Sequence, residues 1–349
     1  MSLTHEFRRG LEFDVTALER HLAAHLPGFH GPLRVTQFPG GQSNPTYRLE
    51  SPSASYVLRH KPPGALLPSA HAIEREFRVM HALATQTQFP VAEPLLLCED
   101  VEVIGTAFYV MQYLDGRVYW DPCLPELPRE ERRPVFAAMV QTLAQLHSID
   151  YRQIGLEDFG RPEGYVARQI ARWSKQYAVD AQTAGAVPDM ERLIDWLPRH
   201  APATEPAPTL LHGDFRLDNL MFDRHAPRVI GVLDWELSTI GDPLADFAYN
   251  LMIYRIDSGG VRGLGGVDLT ALGLPDEREY IEAYCAHRGL TALPNLPYYL
   301  TYCLFRLAGI CHGIAGRVQR GTAVSPQAKL YAAQVGPLSA LAWRTAQGD

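Results

Sequence analysis

Lysine is nearly missing from this chain. Lys61, Lys175 and Lys329 stand against 29 arginines in 349 residues, so chemistry that needs an ammonium group has few places to sit. Cysteine is sparse as well: Cys98, Cys123, Cys285, Cys303 and Cys311 are odd in number, scattered, and never form a C-x-x-C pair. That spacing excludes a disulfide framework and a structural zinc site, and leads us to expect reduced thiols in a cytoplasmic protein. A basic excess is also lacking, with 32 Lys and Arg against 39 Asp and Glu, a net charge of -7 and a pI near 6.0. A nucleic-acid partner is not expected on that balance. No apolar run reaches membrane-spanning length. The nearest, Tyr298 to Gly316, is interrupted by Arg306 and His312 and is expected to be a buried helix. The segment Met1 to Gly10 carries His5, Glu6, Arg8 and Arg9 without an apolar core, which does not match a signal peptide. Internal repeats and low-complexity stretches are absent.

What is present is the texture of a folded protein, 46% hydrophobic and 20% charged, long enough for two ordinary domains or one large unit of two lobes. Asp14 followed by Val15, Leu18, Leu22 and Leu26 predicts a capped amphipathic helix. Short strands follow at Leu33 to Phe38, Thr46 to Leu49 and Tyr56 to Arg59, the first two joined by a glycine-containing turn. Ile73, Phe77, Met80 and Ala84 recur at helical spacing, and Pro94 to Cys98 and Ala107 to Tyr113 are two further β-rich runs. Beyond Pro128 helices dominate, with strong patterns at Val135 to His147 and Tyr165 to Tyr177. Pro198 to Pro208 predicts a surface connector, Thr209 to Glu236 has hairpin character, and Ser258 to Gly266 is a glycine-rich loop. The expected class is α+β, with a small antiparallel-sheet lobe and one main helix joined near Tyr113 to Gly116 to a larger helical lobe.

The densest chemical signal is Leu211-His212-Gly213-Asp214-Phe215-Arg216-Leu217-Asp218-Asn219. Phosphoryl transfer needs a carboxylate that orients the attacking hydroxyl, and an amide oxygen that coordinates magnesium without adding a charge that repels phosphate. Kinase catalytic loops place that Asp and Asn five positions apart, as Asp214 and Asn219 are. Asp234 directly follows the apolar run Val229 to Leu233, and a carboxylate at a strand end suits a phosphate-bridging ion. Each feature alone fits an ordinary polar turn; their combined spacing does not.

His212-Gly213-Asp214 to Asn219, Leu233-Asp234-Trp235-Glu236, Gly241-Asp242-Pro243 and Asp246 together resemble the aminoglycoside phosphotransferase family, which is kinase-like. Phe38 to Tyr47 and Tyr56 to Gly64 narrow the likeness to the kinase-like domains fused to acyl-CoA dehydrogenases in animals and found alone in bacteria. The 349 residues leave no room for the dehydrogenase itself. The resemblance implies a bilobal protein-kinase-like fold, with 1–113 the nucleotide-binding lobe and 114–349 the catalytic and substrate-binding lobe. It implies ATP and Mg2+ as cofactors and a small hydroxylated acceptor, a hydroxy acid or its acyl-CoA thioester rather than an antibiotic.

Residue by residue, the likeness assigns Asp214, Asn219 and Asp234 to catalysis, with Asn219 and Asp234 holding the metal. Gly40, Gly41, Ser43 and Asn44 would cover the phosphates. Arg59 stands where kinases have a strand lysine, with Glu76 as its helix partner; Lys61 and Glu74 are the rivals. Gln112, Tyr113 and Leu114 match the adenine-binding hinge. Asp242 and Asp246 would brace the catalytic loop, and His212 would shape it. Arg168, Arg172 and Lys175 fall on one helix face that suits an anionic acceptor, and Arg216 lies in the catalytic loop, so Arg168, Arg172 and Arg216 are the acceptor-binding candidates. Trp173 and Tyr177 are read as core packing, and Arg306, His312 and Arg317 as further anion-binding candidates. Two alternatives remain open at this point: a kinase of another small molecule, such as an amino alcohol, sugar or aminoglycoside, and a nucleotide-binding pseudokinase scaffold.

Overall fold

The structure is a computed structural model, and it describes residues 12–38, 44–62, 72–259, 262–323, 325 and 327–348. The chain divides into two compact units. One takes the residues up to Arg117 together with Met221–Ser238, and the other takes Val118–Leu220 and Thr239–Asp349. Residues 221–238 thus return to the first unit.

The first unit begins with α1 (Val15–His25), whose first turn is capped by the Asp14 carboxylate accepting from the Thr16 and Ala17 amides. Its sheet comprises β1 (Arg34–Gln37), β2 (Thr46–Glu50), β3 (Ser55–His60), β4 (Pro94–Cys98) and β5 (Phe108–Gln112). The order is β1-β2-β3-β5-β4, with every neighbouring pair antiparallel. Alternation of buried and half-buried residues along β2 gives the sheet a core face, where Tyr47, Leu49, Leu58 and Val110 pack against Leu18 and Leu22 of α1. The main helix, α2 (Ile73–Gln86), buries Ile73, Glu76, Val79, Met80 and Leu83. Glu76 is a carboxylate on an otherwise apolar stripe. The sheet and helix follow the order expected from the sequence, with boundaries within about two residues.

Helices carry most of the second unit. α3 (Arg129–Ser148) starts six residues before the predicted Val135, passing through Pro134. α4 (Tyr165–Ala184) runs seven residues past the predicted Tyr177, to a stop at Gly185 with φ 85°. α5 (Pro188–Arg199) extends through Pro198 into the predicted connector. The second unit's short strands β6 (Thr209–Leu211) and β9 (Thr239–Gly241) pair with each other, and the segment that returns to the first unit carries the pair β7 (Leu220–Phe222) and β8 (Val229–Val232). α6 (Pro243–Leu251), α7 (Leu269–Leu272) and α8 (Glu277–Arg288) lead to α9 (Leu296–Gln319), and α10 (Ala328–Ala333) and α11 (Val335–Gln347) close the chain. α9 is the buried helix anticipated at Tyr298 to Gly316, and both Arg306 and His312 are buried in it. Among the described residues no helix is long and apolar enough to cross a membrane.

Candidate active site

The first unit gathers its charged groups around Arg59. From β3 this side chain reaches Glu76 of α2 through Nε at 2.9 Å, and Asp234 through Nη2 at 2.5 Å. Glu236 lies 3.8 Å from the same Nη2. Glu76 has two further partners: the Asn44 amide donates to Oε1 at 2.7 Å and the Tyr109 hydroxyl donates to Oε2 at 3.0 Å. Burial still pushes the Glu76 pKa up, against the opposing charge of Arg59. For Arg59 burial works against the charge, but Glu76, Tyr109, Asp234 and Glu236 outweigh it and hold the guanidinium firmly protonated. Lys61, the rival cation, pairs instead with the exposed Glu74 at 2.9 Å.

Asp234 sits at the end of β8 in a left-handed conformation, φ 63° and ψ 66°. That region is uncommon outside glycine, and a non-glycine residue held there is a common sign of a site built for its side chain. Of the hinge candidates, Gln112 ends β5 and its amide donates to the Glu93 carbonyl at 2.8 Å. Tyr113 carries the Arg48 guanidinium over its ring at 4.6 Å. Leu114 fills the space beside Gly231, where a Cβ would collide with it. Gly40, Gly41 and Ser43 lie outside the described residues.

The second unit builds its array on the loop after β6. Gly213 takes φ 83°, a left-handed turn that glycine adopts without the steric cost a Cβ brings. Asp246 of α6 receives both amides of that turn, from His212 at 2.8 Å and Gly213 at 2.9 Å. Burial opposes the Asp246 charge, yet contacts with His147 and His212 outweigh it and hold its pKa below the ordinary range. His147 is itself kept neutral by burial, so its Nε2–H donates to Asp246 at 3.3 Å and its Nδ1 accepts from the Tyr284 hydroxyl at 2.7 Å. The Asp214 amide donates to His212 Nδ1 at 3.2 Å, which makes His212 a loop-shaping residue with its proton on Nε2. Asn219 closes the loop by donating from Nδ2 to the Asp214 carbonyl at 2.9 Å and to its carboxylate at 3.1 Å. That assignment makes Oδ1 the acceptor end of the Asn219 amide.

Arg216 pairs with Asp214 at 3.2 Å and with Asp218 at 3.4 Å. Tyr249 of α6 hydrogen-bonds Asp214, and burial followed by that carboxylate raises its phenol pKa. Arg306, expected to bind an anion, is buried and donates to the Gly213 carbonyl at 2.9 Å while lying 4.7 Å over the Tyr249 ring. Its role in the structure is to brace the loop. His312, the second such candidate, is buried and donates to the Gly185 carbonyl at 2.8 Å. Asp242 caps α6 and accepts from the Tyr299 hydroxyl at 2.8 Å, and burial pushes its pKa up to about 6. Arg168, Arg172 and Lys175 are all exposed on α4, but the Arg168 guanidinium folds back onto the carbonyls of Arg161 and Glu163. Arg172 lies 5.7 Å from the Trp173 ring, and Tyr177 is buried with its hydroxyl accepting from the Val187 amide at 2.7 Å. Sequence reasoning passed over Tyr109, His147 and Tyr249, none of which has a spacing relation to the residue it serves.

Residues 34–292 match the model of the phosphotransferase enzyme family. The chain belongs to this family. It is 44% identical over 344 residues to mouse acyl-CoA dehydrogenase family member 10, covering 97% of this chain and 32% of that protein. It is also 44% identical over 344 residues to chicken acyl-CoA dehydrogenase family member 11, covering 96% of this chain and 44% of that protein. The chain thus spans less than half the length of these curated relatives. Among solved structures, a Ralstonia eutropha JMP134 protein provisionally assigned as an aminoglycoside phosphotransferase is 45% identical, with a TM-score of 0.88 over 97% of this chain and 99% of that one. The fold is kinase-like: a five-stranded antiparallel sheet with α2, followed by a mostly helical C-terminal part.

Proposed function

We propose that the protein transfers the γ-phosphoryl group of Mg-ATP to a hydroxyl of a small anionic acceptor, a hydroxy acid or its acyl-CoA thioester. The observation that carries this reading is the clamp of Asn219 on both the carbonyl and the carboxylate of Asp214, on a turn held from below by Asp246. Such a loop presents a carboxylate whose position is fixed before substrate arrives, which is what in-line phosphoryl transfer requires of a protein. Asp214 would orient the acceptor hydroxyl and take its proton. Arg59, tied to Glu76, would bind phosphate oxygens with its planar fork, and Gln112 to Leu114 would form the adenine edge. Gly40, Gly41, Ser43 and Asn44 belong to the same proposal as the phosphate-covering turn.

The donor chemistry suits magnesium. Asp234 offers a carboxylate and Asn219 an amide oxygen, both hard ligands. Bound magnesium would supply charge neutralisation on the phosphates. AMP-PNP was solved with aminoglycoside phosphotransferase APH(4)-Ia, which shares the fold at 17% identity and a TM-score of 0.63; ATP as donor here is an inference from family and site. An anionic acceptor is supported by the arginines around Asp214 and on α4, which would repel a polycationic antibiotic. Five free cysteines fit a reducing, cytoplasmic setting for this activity.

The test is incubation with Mg-ATP and a panel of 3-, 4- and 5-hydroxy acids, their CoA esters, choline and kanamycin, read by mass spectrometry. Product is expected only among the acids or thioesters, and Asp214→Asn should lower turnover by about 10²–10⁴-fold with ATP affinity little changed. A product from kanamycin or choline would replace the acceptor assignment. Near wild-type turnover in the Asn variant would remove Asp214 from its role.

A further inference from the structure

The second unit holds a small, partly open pocket. Its polar end is made by Arg216, Asp218, Tyr249 and Arg262, and its mouth by Trp120. Met252, Ile256 and Leu307 supply apolar wall. Two of these residues touch the proposed base directly, since Arg216 is ion-paired with Asp214 and Tyr249 is hydrogen-bonded to it. A molecule in the pocket therefore lies against the neighbours of Asp214.

The two guanidinium groups converge on one carboxylate oxygen. Asp218 Oδ2 receives Arg216 Nη2 at 3.4 Å and a close contact from Arg262 Nη1. Arg216 has Asp214 as a second counter-charge, whereas among the described residues the one ion pair of Arg262 is with Asp218. Among the described residues Arg262 meets Asp218 through Nη1 alone, and a guanidinium fork is built to take an anion through two parallel N–H bonds. The same guanidinium lies 5.2 Å from the centre of the Trp120 ring, and Trp120 is 58% exposed. A large aromatic left in water beside an arginine gains from an occupant with an apolar chain and a charged end.

Arg262 is held in place by its loop. It adopts φ 55°, an unfavourable conformation for a side chain with a Cβ. The residues after it are stitched to the segment before the loop: Leu264 N–H donates to the Ile253 carbonyl at 2.7 Å, and Gly265 N–H to the Ile256 carbonyl at 2.8 Å. Gly263 packs so closely that a Cβ there would collide with the Ile256 carbonyl oxygen. A non-glycine residue in that backbone region is a recurrent mark of a functional position.

We propose that this pocket receives the acceptor, and that Arg262 selects acceptors bearing an anionic group, a carboxylate or a phosphate, with Trp120 covering the apolar chain. The inference rests on the phosphotransfer reading above and adds to it the residue that sets acceptor charge. In the ligand-free protein Asp218 occupies the place of that anion on Arg262.

Equilibrium binding tests it on the full chain with Mg-ADP present. The probes are 5-hydroxyhexanoate, its CoA thioester and the neutral 1,5-hexanediol, titrated into wild type, Arg262→Ala, Arg262→Lys and Trp120→Ala. Arg262→Ala is expected to raise Kd at least tenfold for whichever anionic probe is the true ligand, with less than a threefold change for the diol; Lys should recover part of the loss. Loss with the free acid identifies a carboxylate, and loss with the thioester alone identifies a phosphate. Trp120→Ala should weaken all three probes. Equal affinities in wild type and Arg262→Ala, or no binding of either anionic probe to wild type, overturn the proposal. Arg262-dependent binding without any phosphorylated product from Mg-ATP would keep the anion pocket and sink the phosphotransfer reading. Product formation indifferent to Arg262 would do the reverse.

Discussion

Two ion pairs connect the same strand region to the same helix, and they differ in almost everything else. Arg59 on β3 meets Glu76, with side chains 12% and 1% exposed; Lys61, just past the end of β3, meets Glu74, at 29% and 43%. Both pairs have the same 2.9 Å separation. The inner carboxylate also takes hydrogen bonds from Asn44 and Tyr109, and the inner cation also holds Asp234. Water surrounds much of the outer pair. Distance therefore says nothing about what each pair does. Moving a carboxylate out of water costs several kcal/mol, and its attraction to a buried cation only offsets that when further hydrogen bonds satisfy it. Glu76 remains harder to ionise than an ordinary glutamate despite Arg59, so burial offsets part of what the pairing gains. What the inner array does accomplish is to fix a guanidinium against Asp234.

The largest expected effect comes from breaking the inner pair on its acidic side. Glu76→Ala leaves a buried guanidinium without its main partner and strands the Asn44 and Tyr109 donors. It should destabilise the protein by about 3–5 kcal/mol, read as a lower urea midpoint with an unchanged slope. A loss below about 1 kcal/mol, the range of a surface pair, would erase the distinction between the inner and outer pairs.

A smaller effect is expected from Arg59→Lys, which keeps the charge and removes the fork. Arg59 addresses Glu76 through Nε and Asp234 through Nη2, and a single ammonium cannot hold both in that geometry. The variant should fold, losing about 1–3 kcal/mol, and should bind Mg-ATP roughly tenfold more weakly by titration calorimetry, about the 1.4 kcal/mol that one charged hydrogen bond supplies. Unchanged nucleotide affinity would show that the phosphates are held elsewhere.

The contrast also marks how far the sequence can be read. The succession of strands and α2 along the chain was legible because period-2 and period-3.6 apolar patterns were intact there. The pairing of Arg59 with Glu76 was legible because Pro62 follows directly on Lys61 and Glu76 adjoins the apolar stripe of α2, and the closeness of Asp214 and Asn219 because both lie in one short loop. The first turns of α3 were missed because Arg129 to Arg133 is a charged run followed by Pro134, without an apolar stripe. The end of α4 was missed although Gly185 supplied a stop signal, because the residues after Tyr177 are mostly exposed. The supports of the site had no local signal at all. Tyr109 serves Glu76 from 33 positions away, His147 serves Asp246 from 99, and Arg306 serves Gly213 from 93. Arg306 was read as an anion binder because charge on a buried helix invites that reading; only the fold shows that a backbone carbonyl is its partner.

The smallest predicted effect is the one that most sharpens the comparison. Lys61→Ala removes one of three lysines in the chain, the one that rivals Arg59 in sequence terms. Its pair with Glu74 is bathed in solvent, so the Coulomb attraction is screened and holding two long side chains together costs entropy. Stability should change by less than about 1 kcal/mol, and whatever change appears should shrink in 1 M salt. A double-mutant cycle with Glu74→Ala should give a coupling near the few tenths of a kcal/mol typical of exposed pairs, while the Arg59 and Glu76 cycle should give a coupling several times larger. Mg-ATP affinity should be unchanged in Lys61→Ala. If affinity instead fell tenfold while Arg59→Lys left it intact, the outer cation would be the one that meets the nucleotide, and the buried pair would be a structural strut inside the first unit.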